Sequence, residues 1–218
     1  MSDGREPRSQ ESRWLPALTI LAVLFVLYAL PGRIRVVPSS ITYFAAITLL
    51  VPMTAATFAP TSALWVRVER ITTFLFFVFG TLANLYVVTR LIDALISHPE
   101  IGGIELLASS IALWINNVLI FSLLYWQLDR GGPVARADSL RVMPDWRFPE
   151  AGPTDDVPSG WRPSFLDYLF LGYTTATTFS ASYALPLTPR AKALMMIQST
   201  IALVTIVLVA SRAINILK

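Results

Sequence analysis

The chain contains no cysteine, which excludes a disulfide, a thiolate metal site and a thiol nucleophile. It contains one histidine, His98, so no multi-histidine metal cluster can form. Charge is also scarce: Asp, Glu, Lys and Arg make up 14% of the 218 residues, whereas soluble domains carry roughly a quarter. A phosphate-binding glycine loop, a zinc-protease helix and a nucleophile elbow are all missing. No acid–base–nucleophile set can be assembled, so neither an enzyme nor a bound cofactor is expected. No internal repeat points to an inverted-repeat transporter.

What fills the chain instead is apolar. Hydrophobic residues account for 55% of the sequence, and mean hydropathy is +0.60. Several runs reach the length of about 20 residues that a helix needs to cross a bilayer. The fold class that follows is all-α, a polytopic membrane helical bundle. The net charge of +3 does not point to nucleic acid; basic residues in such a chain mostly orient it and meet anionic headgroups. The lipid bilayer is the expected partner.

Residues 1–13 read as a disordered tail, and residues 14–103 as a membrane region of three helices. The first runs about Trp14 to Leu30; Pro31-Gly32-Arg33 offers no small-residue cleavage pattern, so it reads as a retained helix. The second runs about Ile41 to Phe58 and should kink at Pro52. The third runs about Ile71 to Ile96, preceded by Trp65, Arg67 and Arg70 as an interfacial anchor. A fourth helix, about Ile104 to Gln127, opens the remaining unit, residues 104–218. A soluble loop (129–163), a polar segment (164–189) and a last helix (190–218) complete it. Asn84, Asn116 and Asn117 either line a hydrophilic path or make interhelical hydrogen bonds, each worth roughly 0.6–2 kcal/mol.

The polar segment is the unusual part. Thr174, Thr175, Thr177, Thr178, Ser180 and Ser182 crowd a stretch too apolar for an ordinary loop and too polar for a lipid-facing helix. Polar groups at membrane depth are tolerated only when buried in protein or lining a wet cavity. The segment is therefore a re-entrant element or a helix hidden in a bundle.

From Ser164 to Lys192 the sequence resembles the pore loop of potassium channels. Asp167 matches the aspartate near the start of the pore helix, and Thr175, Thr177 and Thr178 match the threonines of T-x-T-T. Phe179, Ser180, Ala181, Ser182 and Tyr183 fall on V-G-Y-G-D, and Arg190 and Lys192 lie at the start of the inner helix. The whole chain also looks like a family of uncharacterised bacterial integral membrane proteins. That likeness rests on Tyr125-Trp126-Gln127-Leu128-Asp129-Arg130-Gly131-Gly132-Pro133, on Arg147-Phe148-Pro149 and on the final block through Arg212 and Asn215. The channel resemblance implies a homo-oligomer, a tetramer, passing monovalent ions. In it Thr177, Thr178, Phe179, Ser180, Ala181 and Ser182 line the constriction, and Arg190 sets the field at the mouth.

Ser180 and Ser182 stand where the filter glycines belong. A left-handed backbone at a non-glycine costs of order 1 kcal/mol or more, so the resemblance implies an altered or non-selective pore. The other functional class is a non-conducting scaffold or accessory subunit. Topology divides the same way. A re-entrant segment gives five spans and puts the 129–163 loop opposite the C-terminus. A full crossing gives six spans, which the arginine distribution favours because cytoplasmic loops collect basic residues.

Overall fold

The computed structural model describes residues 14–29, 63–97, 103–138, 143–151, 161–181 and 183–216. The tail 1–13, the expected second helix (Ile41 to Phe58), His98 and Ser182 lie outside the described residues. The fold is all-α. Its helices are α1 (Trp14–Ala29), α2 (Ala63–Ser97), α3 (Gly103–Leu128), the short α4 (Pro133–Asp138), α5 (Phe165–Thr178) and α6 (Pro189–Ile216). Two-residue strands β1 (Trp146–Arg147) and β2 (Leu185–Pro186) pair antiparallel. Helix α2 begins at Ala63 rather than Ile71. No proline or glycine intervenes before Gly80, so the Trp65–Arg70 stretch continues the helix.

Two stretches, Leu107–Gly131 and Pro189–Ser211, are long and apolar enough to cross a membrane, whereas α1 is shorter. Helix α3 is the hub and packs against α1, α2, α5 and α6. A largely buried helix has little room for charge, and the polar groups in the buried length of α3 are uncharged, among them Ser109, Asn116, Asn117, Ser122 and Gln127. Helix α2 crosses it antiparallel. Asn116 Nδ2 donates to Asn84 Oδ1 at 3.1 Å, and Phe77 meets Phe121 edge-on at 5.5 Å. Gly80 admits the contact: a Cβ there would lie 2.9 Å from Ile120 Cδ1.

The end of α3 explains the Asp129-Arg130-Gly131-Gly132-Pro133 run. Arg130, Gly131 and Gly132 take φ of 52°, 81° and 99°, and the Gly132 N–H donates to Asp129 O at 3.0 Å. Arg136 folds back from α4. Its Nη1 donates to the carbonyls of Trp126 (2.6 Å) and Asp129 (3.0 Å). Its guanidinium also lies 5.1 Å from the centre of the Tyr168 ring. Carbonyls at a helix C-terminus lack intrahelical donors and carry partial negative charge, and a buried arginine satisfies both demands. The following loop is anchored by Trp146 and Phe148, each 2% exposed. Trp146 packs on Tyr125 at 4.7 Å and donates Nε1–H to Met195 Sδ at 3.4 Å.

Candidate functional site, a polar hairpin

Helix α5 starts with a capping box. The Ser164 N–H and hydroxyl both donate to Asp167 Oδ2, at 2.7 and 2.8 Å. Asp167 lies in the first turn, where the helix dipole favours a carboxylate. The buried positions Phe165, Tyr168, Leu171, Gly172, Thr175 and Ala176 follow the helical period. They face α3 in antiparallel register. Tyr168 Oη donates to Asp129 Oδ2 at 2.7 Å, Gly172 abuts Ser122, and Ala176 packs with Val118. A Cβ on Gly172 would lie 2.3 Å from Ser122 Oγ, so only glycine allows this approach.

Helix α5 has 14 residues, a rise of about 21 Å, short of the ~30 Å hydrocarbon core. It stops at Phe179, whose φ and ψ are 54° and 25°. Hydroxyls compete with the helical ladder here: Thr178 Oγ1 donates to Thr174 O at 2.8 Å and to Ser180 O at 3.3 Å. The chain then turns back. Tyr183 Oη lies 3.2 Å from Asp167 Oδ1 and 3.1 Å from Glu150 Oε1, and its one proton serves both carboxylates. Its ring packs on Phe170 at 4.6 Å. Burial, then the Asp167 and Glu150 carboxylates, hold the Tyr183 phenol well above its ordinary range. Leu185 and Pro186 pair with β1 beside this point. The segment therefore enters and leaves at the same end of the bundle, where α3 ends and α6 begins.

Thr175 is buried, its carbonyl accepting from the Ser199 hydroxyl at 3.3 Å, and its own Oγ1 has no partner among the described residues. Thr177, Thr178, Phe179, Ser180 and Ala181 are exposed at the tip. Ser180, at a filter-glycine position, has no positive φ, and the left-handed backbone lies one residue earlier, at Phe179. Tyr183 leaves the tip altogether and braces the entry of α5. Phe179, Ser180 and Ala181 border a groove of about 430 Å³ with exposed Lys192 and with Ser199 and Thr200 of α6.

Arg190 departs from its expected role. Its Nε and Nη2 bind the two oxygens of Asp145 at 2.5 Å each. The Asp145 side chain is fully buried and that of Arg190 is 54% exposed. Asp145 also accepts from the Thr188 hydroxyl at 2.6 Å, and its backbone N–H donates to Asp129 Oδ1 at 2.7 Å. The positive charge expected at the mouth is thus matched by a carboxylate from the loop. Nothing in the sequence pairs positions 45 residues apart; the aspartate stands out only beside the buried Trp146.

Gln198 is a further residue that sequence reasoning passed over, although a lone amide in an apolar helix was a usable signal. Its Oε1 accepts from Tyr125 Oη at 2.5 Å, its Nε2 donates to Gly172 O at 2.8 Å, and its carbonyl accepts from Asn117 Nδ2 at 3.2 Å. Of the two roles open to the asparagines, the interhelical hydrogen bond is the one observed at Asn84, Asn116 and Asn117. At its tip the arrangement offers the hydroxyls of Thr177, Thr178 and Ser180. Compared with protein-family models, with curated proteins and with solved structures, the chain matches none of them.

Proposed function

We propose that the chain is an integral membrane protein of the bacterial inner membrane whose α3, polar hairpin and α6 form one subunit's share of a channel-like pore. The observation that carries this reading is the return of Tyr183 to Asp167. It leaves Thr177, Thr178 and Ser180 exposed at the tip of a helix too short to cross a bilayer. Polar groups at that depth need protein or water beside them, and further copies of the chain, four around one axis as in the potassium-channel resemblance, supply both. Of the five spans expected from the sequence, α1, α2, α3 and α6 are among the described residues, and the stretch Ile41 to Phe58 lies outside them. Residues 71–89 of α2 hold no charged residue. The arginines of the 129–163 loop weigh less against this topology than their number suggests, because Arg136 is consumed in capping α3.

The pore is not potassium-selective: Ser180 lacks the left-handed backbone that a carbonyl filter needs. Monovalent ions would pass hydrated, past hydroxyls. Liposome flux tests this. Wild type conducts, and Ser180→Trp blocks conduction; flux that is unchanged in the variant removes the tip from the pathway. The non-conducting scaffold is favoured by one observation. The hydroxyls of Thr174, Thr177 and Thr178 already donate to carbonyls of their own helix, at 2.8–2.9 Å, and call for no ion. Absence of flux from wild type selects that reading.

A further inference from the structure

The groove at the hairpin tip continues along α6 toward the start of that helix. Ser199 and Thr200 border it at the depth of the tip, where the Ser199 hydroxyl meets Thr175 O. Lys192 borders it seven residues before Ser199, which is about 10 Å nearer the base at a rise of about 1.5 Å per residue. Lys192, Met196 and Thr200 recur at four-residue spacing on one exposed face of α6. Among the described residues that line the groove, Lys192 alone is charged. Its side chain is exposed and makes no ion pair or hydrogen bond among the described residues.

The other charges near the hairpin are spent elsewhere. Arg190 is matched by the buried Asp145 carboxylate. Asp167 and Glu150 converge on the Tyr183 hydroxyl, and neither lines the groove. The end of α5 brings a partial negative charge to the tip, roughly half an elementary charge. Its carbonyls are occupied: those of Tyr173, Thr174 and Thr175 accept from Thr177, Thr178 and Ser199 at 2.8, 2.8 and 3.3 Å. One whole, exposed positive charge therefore outweighs a fractional negative one that hydroxyls already satisfy.

We propose that the groove takes small monovalent anions of the halide class, and that Lys192 is the residue that selects them over cations. Repeated in each copy around the axis, Lys192 makes a ring of positive charge at the mouth. Rings of lysine or arginine favour anions, as rings of carboxylates favour cations. An anion that keeps part of its hydration shell meets the ammonium first and then Ser180. The Ser180 hydroxyl is held only by Thr178 Oγ1 at 3.3 Å and can turn its O–H to the ion. The inference rests on the pore reading and names the ion class that the pore passes.

Reversal potentials of the full chain in planar bilayers under a KCl gradient test it. Wild type should reverse near the chloride equilibrium potential, with chloride favoured over potassium by about ten-fold, the order expected of an unmatched charge within a Debye length of the ion. Lys192→Gln should abolish the preference, Lys192→Glu should invert it and Lys192→Arg should keep it. The position is exposed, so circular dichroism should show the same helicity in all four proteins. A wild-type reversal at zero or on the potassium side overturns the inference and leaves the pore standing, as does a chloride preference that survives Lys192→Glu. No current from wild type removes the pore and this inference with it.

Discussion

The side-chain amide of Gln198 donates to the backbone carbonyl of Gly172 at 2.8 Å, joining α6 to α5 in the centre of the bundle. The same amide accepts the Tyr125 hydroxyl from α3 at 2.5 Å. One residue therefore ties together the three helices that hold the polar hairpin. Gln198→Leu leaves the fully buried Tyr125 hydroxyl without its acceptor, a loss of about 1–3 kcal/mol to be read from thermal unfolding in detergent. Tyr125→Phe combined with Gln198→Leu should cost less than the two single changes summed, because the double variant orphans neither group.

Gly172 tests the packing of α5 on α3. An alanine methyl would lie 2.3 Å from Ser122 Oγ and 3.2 Å from Val118 O. Overpacking of this kind costs about 1–3 kcal/mol, so Gly172→Ala should lower the unfolding temperature. Adding Ser122→Gly should restore part of the loss, since the remaining contact is the Val118 carbonyl.

The ion pair at the base of the hairpin is lopsided, and its two halves should fail differently. Arg190→Gln strands the fully buried Asp145 carboxylate with only Thr188 for a side-chain partner. Asp145→Asn leaves an arginine that is 54% exposed and can be solvated. The first change should therefore destabilise more than the second, by on the order of 2 kcal/mol. Comparing the two unfolding midpoints at neutral pH measures the difference.

Tyr183 gives the hairpin an alkaline limit. Burial and two carboxylates raise its phenol above the ordinary value of 10.0. Below that pH the phenol is protonated in both the folded and unfolded states, and its stabilising contribution is complete. As pH rises past it, the unfolded chain releases a proton that the folded chain keeps, and stability falls. Tyr183→Phe should show a flatter stability profile above about pH 10 than wild type. Parallel profiles for the two proteins would contradict this.

Topology can be read with single cysteines, because the chain has none of its own. Ala151→Cys, exposed on the loop, and Lys218→Cys at the C-terminus should label with an impermeant maleimide from opposite faces of the membrane. Labelling from one face supports the full crossing and six spans.

The helices were legible because apolar runs bounded by proline, glycine and charge leave little choice. The expected helix from Ile104 to Gln127 is observed as Gly103–Leu128, and the last helix as Pro189–Ile216. The start of α2 was misjudged because its charged first turns look like an interface on composition, although nothing in them breaks a helix. At the hairpin, the hydroxyl pattern marked the segment, and the pore-loop resemblance put Asp167 near the start of its helix, where it is observed in the first turn. It did not mark Tyr183 as a brace, nor Phe179 as the residue that takes the left-handed turn.

By itself the sequence determined that this chain is helical and apolar, and that hydroxyls crowd one segment of it. Hydropathy and helix-breaking residues act locally, so they can be read along the chain. Only the tertiary structure decided that the segment turns back on itself, that Arg190 is neutralised, and that Gln198 holds the three helices together. Those outcomes depend on a buried carboxylate, a glycine contact and an amide, each contributed by a distant part of the chain. Each becomes energetically decisive only after burial has removed the water that would otherwise satisfy it.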